Sequence, residues 1–178
     1  MNKLTEKEAI KLLRKYSRDE KVFKIVLEHA KAVKKVAVDI SKKIKNVDLD
    51  FIKSASLLHD IGRFQCGSNS AEGIKHGIIG ADILRKEGLP EYALVAERHL
   101  GAGISKDDIE EQELDLPLKD YIPISKEEKI IAHADNLVDN DRIISVEDAV
   151  ERFSKEVSKK IGKRVKRLAD EVEGMKGR

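Results

Sequence analysis

The stretch Leu57-Leu58-His59-Asp60-Ile61-Gly62-Arg63 sets an imidazole and a carboxylate side by side within an apolar segment. His59 follows Ala55 by four positions, so a helix would place it on the same face as the apolar residues. Asp60 is the next residue, about 100° further around the end of that helix. Both polar groups are predicted to point inward, where an ionised carboxylate is costly unless a cation compensates it.

The rest of the chain predicts helices. Apolar residues recur at spacings of three and four, and no period-two alternation bounded by turns stands out. Gly88-Leu89-Pro90 predicts a helix end followed directly by a new helix. Four capping-box patterns or close variants mark helix starts: Thr5 with Glu8, Ser105 with Asp108, Ser125 with Glu128, and Ser145 with Asp148. We therefore predict an all-α fold, a helical bundle of about seven helices.

The length of 178 residues fits a single domain over residues 1–178, with a core at about 22–140. A last helix is predicted at about 145–173, packing on this core or on a second copy of the chain in a homodimer. Its basic residues are expected to form a solvated face, and nucleic-acid binding by this face is the less favoured alternative. Irregular structure is predicted at about 63–75 and 113–124, where Gly, Ser or Pro are frequent.

Composition limits the classes of function. The formal net charge is only +2, although 38% of residues are charged. A dedicated nucleic-acid binder usually has a clear basic excess, so nucleic acid is not an expected partner. A small anionic substrate needs only a local positive site. No apolar run reaches the roughly 20 residues of a membrane helix, and the single cysteine, Cys66, favours a cytoplasmic location.

Further polar residues share the inward pattern of His59. They lie three or four positions from apolar residues of their own segments, and they are His29, His76, His99 and Asp135. Imidazole nitrogens and carboxylate oxygens together suit Fe, Mn, Ni or Zn. Six such ligands are too many for one tetrahedral zinc ion but fit two divalent ions that share a bridging carboxylate. His133 lies two residues before Asp135 and is predicted to face away from this group.

Each of these residues also has a structural explanation when it is taken alone. A single inward histidine is most often satisfied by one hydrogen bond. Asp60 alone could cap a helix end, and Asp135 alone could pair with an arginine. The metal hypothesis therefore depends on the six side chains converging in space.

The residues quoted above carry a family resemblance. Leu57-Leu58-His59-Asp60-Ile61-Gly62 is similar to the LLHDIG signature of the HD superfamily, and the resemblance covers about residues 22–140. It implies a single HD domain with a metal-dependent phosphohydrolase activity. In this activity, a hydroxide activated by two metal ions cleaves a phosphomonoester, phosphodiester or phosphoanhydride bond of a small phosphorylated, nucleotide-like substrate.

The resemblance also implies roles for individual residues. The defining ligands of the family pattern fall on His29, His59, Asp60 and Asp135, which would hold one ion. His76 and His99 resemble the two additional histidines of the dinuclear branch, and Asp60 would bridge both ions in the catalytic centre. Arg63 is the first candidate for contact with the substrate phosphate, because a guanidinium matches two phosphate oxygens; its alternative is a surface role. Weaker candidates are Lys75, Arg98 and Lys129.

The dinuclear branch includes diadenosine-tetraphosphate hydrolases, cyclic-dinucleotide phosphodiesterases and a few diiron oxygenases. The GYP stretch of the cyclic-di-GMP enzymes is absent, and Leu100 rather than a second histidine follows His99, so that activity is not expected. The stretch 127–136 resembles a small, mainly archaeal group of stand-alone HDIG proteins. The alternative functions are a mixed-valent diiron oxygenase and a non-catalytic ligand-sensing module.

Overall fold

The computed structural model describes residues 3–66, 73–140 and 142–177. Within these ranges the chain forms nine α-helices, one 3-10 helix and a short antiparallel hairpin. The α-helices are α1 (Glu6–Tyr16), α2 (Glu20–Ser41), α3 (Leu49–Leu58), α4 (His76–Lys86), α5 (Pro90–Arg98), α6 (Lys106–Glu111), α7 (Lys126–Asn136), α8 (Val146–Glu156) and α9 (Lys159–Met175). The 3-10 helix spans Ile61–Gln65, and the hairpin strands are β1 (Val138–Asp139) and β2 (Arg142–Ile143). The predicted all-α class is confirmed.

Local side-chain chemistry accounts for most helix starts. Thr5, Ser105 and Ser145 each form a complete capping box at α1, α6 and α8. Ser125 caps α7 by accepting a hydrogen bond from the backbone N–H of Glu128. The Glu128 carboxylate does not complete that box, because it accepts hydrogen bonds from the backbone N–H of Ile124 and from Arg98.

The core lies around α2, the longest helix. Its buried stripe (Val26, Ala30, Val33, Ala37 and Ile40) packs against α3 and α7. Helices α4 and α5 pack on each other, and the 3-10 helix packs on α4. This arrangement brings the C-terminal ends of α3, α5 and α7 close to the start of α4.

The C-terminal region differs from the prediction of one helix at about 145–173. The helical path breaks at Val157 (φ −117°, ψ −76°), and Ser158 then caps α9 by accepting from the backbone N–H of Ile161. Helices α8 and α9 pack on each other, and α9 also packs on α7. This break and the short helix α6 raise the number of helices above the predicted seven.

Two further predictions concern the irregular segments and membranes. The segment expected at about 63–75 contains the end of the 3-10 helix, and its residues 67–72 lie outside the described part of the chain. In the segment 113–124 no helix or extended strand is found. No helix of the described ranges is long and apolar enough to cross a membrane.

Candidate metal centre

Helices from distant parts of the sequence bring the six predicted ligands together. His29 lies within α2, and Asp135 is the second-last residue of α7. The other four stand at helix ends: His59 and Asp60 directly follow α3, His76 begins α4, and His99 directly follows α5. The convergence that the metal hypothesis requires is therefore present in the structure.

Asp60 lies at the centre of this cluster, and its side chain is only 1% exposed. Its Oδ2 atom lies 3.6 Å from His29 Nε2 and 3.7 Å from His59 Nε2. Its Oδ1 atom lies 2.9 Å from His76 Nε2 and 3.4 Å from His99 Nε2. Each carboxylate oxygen thus faces a different pair of imidazoles, as a carboxylate shared between two ions must.

The second carboxylate of the cluster, that of Asp135, lies on the side of His29 and His59. Asp135 Oδ1 lies 3.0 Å from His29 Nε2 and 3.4 Å from His59 Nε2. On the other side, His76 Nε2 and His99 Nε2 are 3.0 Å apart. The six side chains therefore divide into a group of four and a group of three that share Asp60.

All four histidines turn the same ring nitrogen towards the carboxylates. Their Nδ1 atoms contact backbone carbonyl oxygens: His29 with Asn140 at 2.9 Å, His59 with Ser56 at 2.7 Å, His99 with Ala96 at 2.8 Å, and His76 with Gly73. Since a carbonyl oxygen only accepts, each Nδ1–H must donate, which leaves the Nε2 lone pair facing the cluster. This is the outer support that metal-binding histidines generally have.

Hydrogen bonds between these side chains do not satisfy the cluster. His59 Nε2 and Asp60 Oδ1 are fully buried and have no hydrogen bond of acceptable geometry among the described residues. Nitrogen and oxygen lone pairs that face one another in a buried site are stabilised by a cation. The donor atoms of His29, His59 and Asp135 all lie within 4.8 Å of one another, as do those of His59, Asp60 and His99. The residues present therefore fit divalent transition metals.

The ionisation of the cluster follows from its charges. Burial would raise the pKa values of Asp60 and Asp135, but the adjacent imidazoles outweigh burial and hold both far below the usual range. Burial would lower the pKa of His29, but its hydrogen bond to Asp135 and that carboxylate's charge raise it to about 9. Burial lowers the pKa of His99. Protons and metal ions therefore compete for the same ring nitrogens.

The cluster opens into a cavity of about 560 Å³. His29, Asp60 and Asp135 form part of its wall, together with Arg63 and Arg152. Arg63 donates from Nε to Asp60 Oδ2, and its two Nη groups have no partner in the described part of the chain. Arg63 thus lies directly beside the cluster, and its contact with a substrate phosphate stays a prediction.

The weaker phosphate candidates do not line this cavity. Lys75 pairs with Asp115, Arg98 Nη1 lies 3.0 Å from Glu128, and Lys129 Nζ lies 3.0 Å from Glu171. His133 is buried but stands apart from the cluster, near Lys176 and Glu173, as its position on α7 predicted.

Arg152 and Phe153 of α8 also line the cavity, and sequence reasoning missed them. Phe153 fits the apolar stripe of its helix, and Arg152 resembles the other basic residues of the C-terminal region. No motif marks either residue. Only the packing of α8 brings them to the cavity.

Comparison with known proteins agrees with this geometry. A family model described as the HD domain matches residues 26–140 of the chain. The chain therefore belongs to the HD domain family, which lies in a superfamily of metal-dependent hydrolases. The match includes all six cluster residues and ends before α8.

The relatives fall into two kinds. Over 157 residues the chain is 44% identical to an uncharacterised protein of Methanocaldococcus jannaschii, in an alignment that covers 84% of this chain and 89% of the relative. It is 37% identical over 164 residues to a tRNA (cytidine(56)-2'-O)-methyltransferase of Thermoplasma volcanium. It is 38% identical over 155 residues to the protein of the same name from Picrophilus torridus.

These two alignments cover 92% and 86% of this chain but 45% and 43% of the relatives. The chain thus spans less than half the length of the two methyltransferases. No solved structure gives a significant match.

Proposed function

We propose that this chain is a metal-dependent phosphohydrolase that cleaves a phosphate ester or anhydride bond of a small, nucleotide-like substrate at a dinuclear centre. One observation carries the proposal. The two oxygens of the buried Asp60 carboxylate face two separate pairs of histidine Nε2 atoms. A histidine in an ordinary core needs one hydrogen-bond partner, whereas two ion sites that share a ligand need this arrangement.

In this proposal His29, His59, Asp135 and Asp60 would hold the first ion, and His76, His99 and Asp60 would hold the second. Fe, Mn, Ni and Zn all accept this donor set. Two bound divalent ions would neutralise charge on phosphoryl oxygens and lower the pKa of a coordinated water.

The protein's own groups prepare the site for an anion. The carbonyl oxygens at the four Nδ1 atoms keep the imidazole rings in fixed orientations. Arg63 is held against Asp60 through Nε, so its Nη groups are available to two oxygens of a phosphate. Because His59, Asp60 and His99 are almost fully buried, their interactions with a bound charge are weakly screened.

Elemental analysis of the purified protein, followed by an activity panel with the identified metal, tests the proposal. We expect about two ions per chain, given the two ligand groups. We also expect anaerobic hydrolysis of at least one phosphomonoester, phosphodiester or phosphoanhydride substrate. Asp60→Asn should abolish this hydrolysis. If protein reconstituted in turn with Fe, Mn, Ni and Zn hydrolyses none of them, the proposal is wrong.

The same measurements separate the alternative functions. Bound iron with a mixed-valent EPR signal and turnover that requires oxygen would identify a diiron oxygenase. Bound metal without any turnover would identify a ligand-sensing module.

The relatives named tRNA methyltransferase add RNA to the substrate panel. The part of those relatives that aligns with this chain is less than half of their length. RNA oligonucleotides ending in a 3'-phosphate or a 2',3'-cyclic phosphate are informative substrates. We expect small substrates to be preferred, because the cavity has the volume of a small-molecule site.

A further inference from the structure

Helix α8 forms one wall of the cavity above the cluster. Arg152, Phe153 and Glu156 line the cavity together with His29, Asp60 and Asp135. The family match ends at residue 140, so these α8 residues lie outside the part of the chain that it covers. Some of the groups that can distinguish one substrate from another therefore lie outside the part of the chain that the family model covers.

Arg152 is held next to the cluster by several contacts. Its Nη2 donates to the backbone carbonyl oxygen of Asn136 at 3.1 Å, and Asn136 directly follows Asp135. Its Nη1 lies 3.5 Å from Asp139 Oδ1, and its guanidinium carbon lies 5.2 Å from the centre of the Phe153 ring. A guanidinium has five N–H donors. The contacts described above use only some of these donors, so other N–H groups of Arg152 can donate to a ligand in the cavity.

Apart from Arg63 beside the cluster, the other charged side chains of the wall outside the proposed metal ligands are carboxylates. Glu28, Asp139 and Glu156 line the same cavity and are solvent-exposed. A second or third phosphate group that reached them would meet like charge. Hydroxyl and amino groups would instead donate hydrogen bonds to these carboxylates. The charge pattern therefore favours an anionic group near the cluster and a neutral remainder further out.

We propose that α8 completes the active site and selects its substrate. Arg152 binds an oxygen of the phosphate that lies at the His–Asp cluster, and the three carboxylates restrict the substrate to compounds with a single phosphate group. A nucleoside monophosphate has this chemistry, and its base can contact the apolar part of the wall, formed by Ile25, Leu100, Val138 and Phe153. This inference rests on the proposed phosphohydrolase function and names the substrate class of the same site.

Binding of inorganic phosphate tests the role of Arg152 without any turnover. The variants are Arg152→Gln and Arg152→Lys, with Lys155→Gln as the matched control. Lys155 is on the same helix, 73% exposed and paired with Glu151, so its substitution removes a positive charge outside the cavity. Calorimetric titration of Mn²⁺-loaded protein should show a Kd for phosphate raised about 10- to 100-fold in Arg152→Gln. The rise should be smaller in Arg152→Lys and absent in Lys155→Gln.

Metal content, measured on each variant, distinguishes a role of Arg152 in substrate binding from a role in supporting the metal ligands. If Arg152→Gln loses metal, Arg152 acts through Asn136 and Asp139, and the proposal is overturned. It is overturned as well if wild-type protein binds no phosphate, or if Arg152→Gln binds it as tightly as wild type. A wild-type protein that binds phosphate but hydrolyses nothing would count against the proposed function alone.

Glu156→Gln tests whether the carboxylates of the wall select substrates with a single phosphate group. Glu156 is suitable because it has no ion pair or hydrogen bond within the described ranges, so its substitution removes only a charge. The measurement is kcat/KM for adenosine 5'-monophosphate and for adenosine triphosphate, in wild-type protein and in Glu156→Gln. Wild-type protein should prefer the monophosphate, and the variant should reduce that preference about two- to fivefold, as expected for one exposed charge. Equal hydrolysis of both nucleotides by the wild type, or an unchanged preference in the variant, would refute the selection.

Discussion

The Nδ1 atom of His29 lies 2.9 Å from the backbone carbonyl oxygen of Asn140, 111 positions further along the chain. Asn140 follows β1 and has a φ of +57°, in the left-handed region of backbone conformation. The turn of the hairpin therefore holds the oxygen that directs His29 towards Asp135. An exposed residue next to β1 thus supports one of the proposed metal ligands.

We expect Asn140→Val to weaken metal binding, because a β-branched residue is strained at positive φ and would displace this carbonyl. Loss of such a support typically lowers metal affinity about 10- to 100-fold. Asn140→Gly is the control, since glycine adopts this conformation freely. Competition with a chromogenic chelator measures both affinities. Equal affinities in the two variants would show that the carbonyl does not orient His29.

Substitutions within the cluster should have graded effects on metal content. Asp60→Ala should lose both ions, because its two oxygens face both histidine pairs. His99→Ala should lose about half of the metal, because its Nε2 lies on the Oδ1 side only. His133→Ala should keep nearly all of it, since His133 stands apart from the cluster. Elemental analysis measures all three, and metal loss in His133→Ala would mean that the ligand set is wrong.

Gly62 of the signature is required by a close approach of two backbones. A Cβ atom at this position would overlap the carbonyl oxygen of His76 and lie 2.6 Å from the backbone nitrogen of Gly80. We expect Gly62→Ala to lower the free energy of unfolding by at least about 2 kcal/mol, because α4 must shift. The shift would also displace His76 and reduce metal content.

Gly174→Ala is the matched control for this substitution. It lies in α9, and a Cβ there meets no atom within 4 Å. We expect a stabilisation of up to about 1 kcal/mol, the usual gain from replacing a helical glycine. Urea unfolding measures both variants. A Gly62→Ala protein as stable as wild type would show that the contact with α4 relaxes easily.

Stability should fall in mild acid because of His133. Burial and the charge of Lys176 lower the pKa of His133 to about 4. An unfolded histidine has a pKa of about 6.5, so between pH 6.5 and 4 the unfolded state binds the extra proton. The free energy of unfolding therefore decreases as pH falls through this window, by up to about 3 kcal/mol.

We expect His133→Leu to remove this part of the acid sensitivity. Urea unfolding of chelator-treated wild type and variant at pH 7.5 and 4.5 measures the difference without interference from bound metal. Equal losses of stability in the two proteins would show that His133 does not titrate as its burial requires.

The six cluster residues were predictable because local rules identify them. His29 and Asp135 lie on apolar faces of their helices, and His59 and Asp60 lie in the signature. His76 and His99 each lie three positions from an apolar residue of the same segment. The break between α8 and α9 could not be predicted from apolar spacing, because that spacing continues through Val157, which is nevertheless about half exposed. The capping side chain of Ser158 was a local signal that could have indicated this break.

Charged side chains were the least predictable part of the site, because their tertiary partners decide their roles. Arg98 is close to His99 in sequence but pairs with Glu128. Arg152 is remote from the signature in sequence and yet reaches the cavity through the packing of α8. Neither outcome is encoded in local spacing.

The helix ends around the cluster affect the order in which metal ions and substrate bind. His59 and His99 directly follow the C-terminal ends of α3 and α5, where peptide dipoles concentrate partial negative charge. Without metal, these dipoles and the carboxylates of Asp60 and Asp135 offset the positive charges of Arg63 and of His29, whose pKa is raised to about 9. The site would then attract a phosphate only weakly. Bound cations would make the local potential strongly positive. Metal supply would then act as an on–off control over substrate entry, with no change of fold.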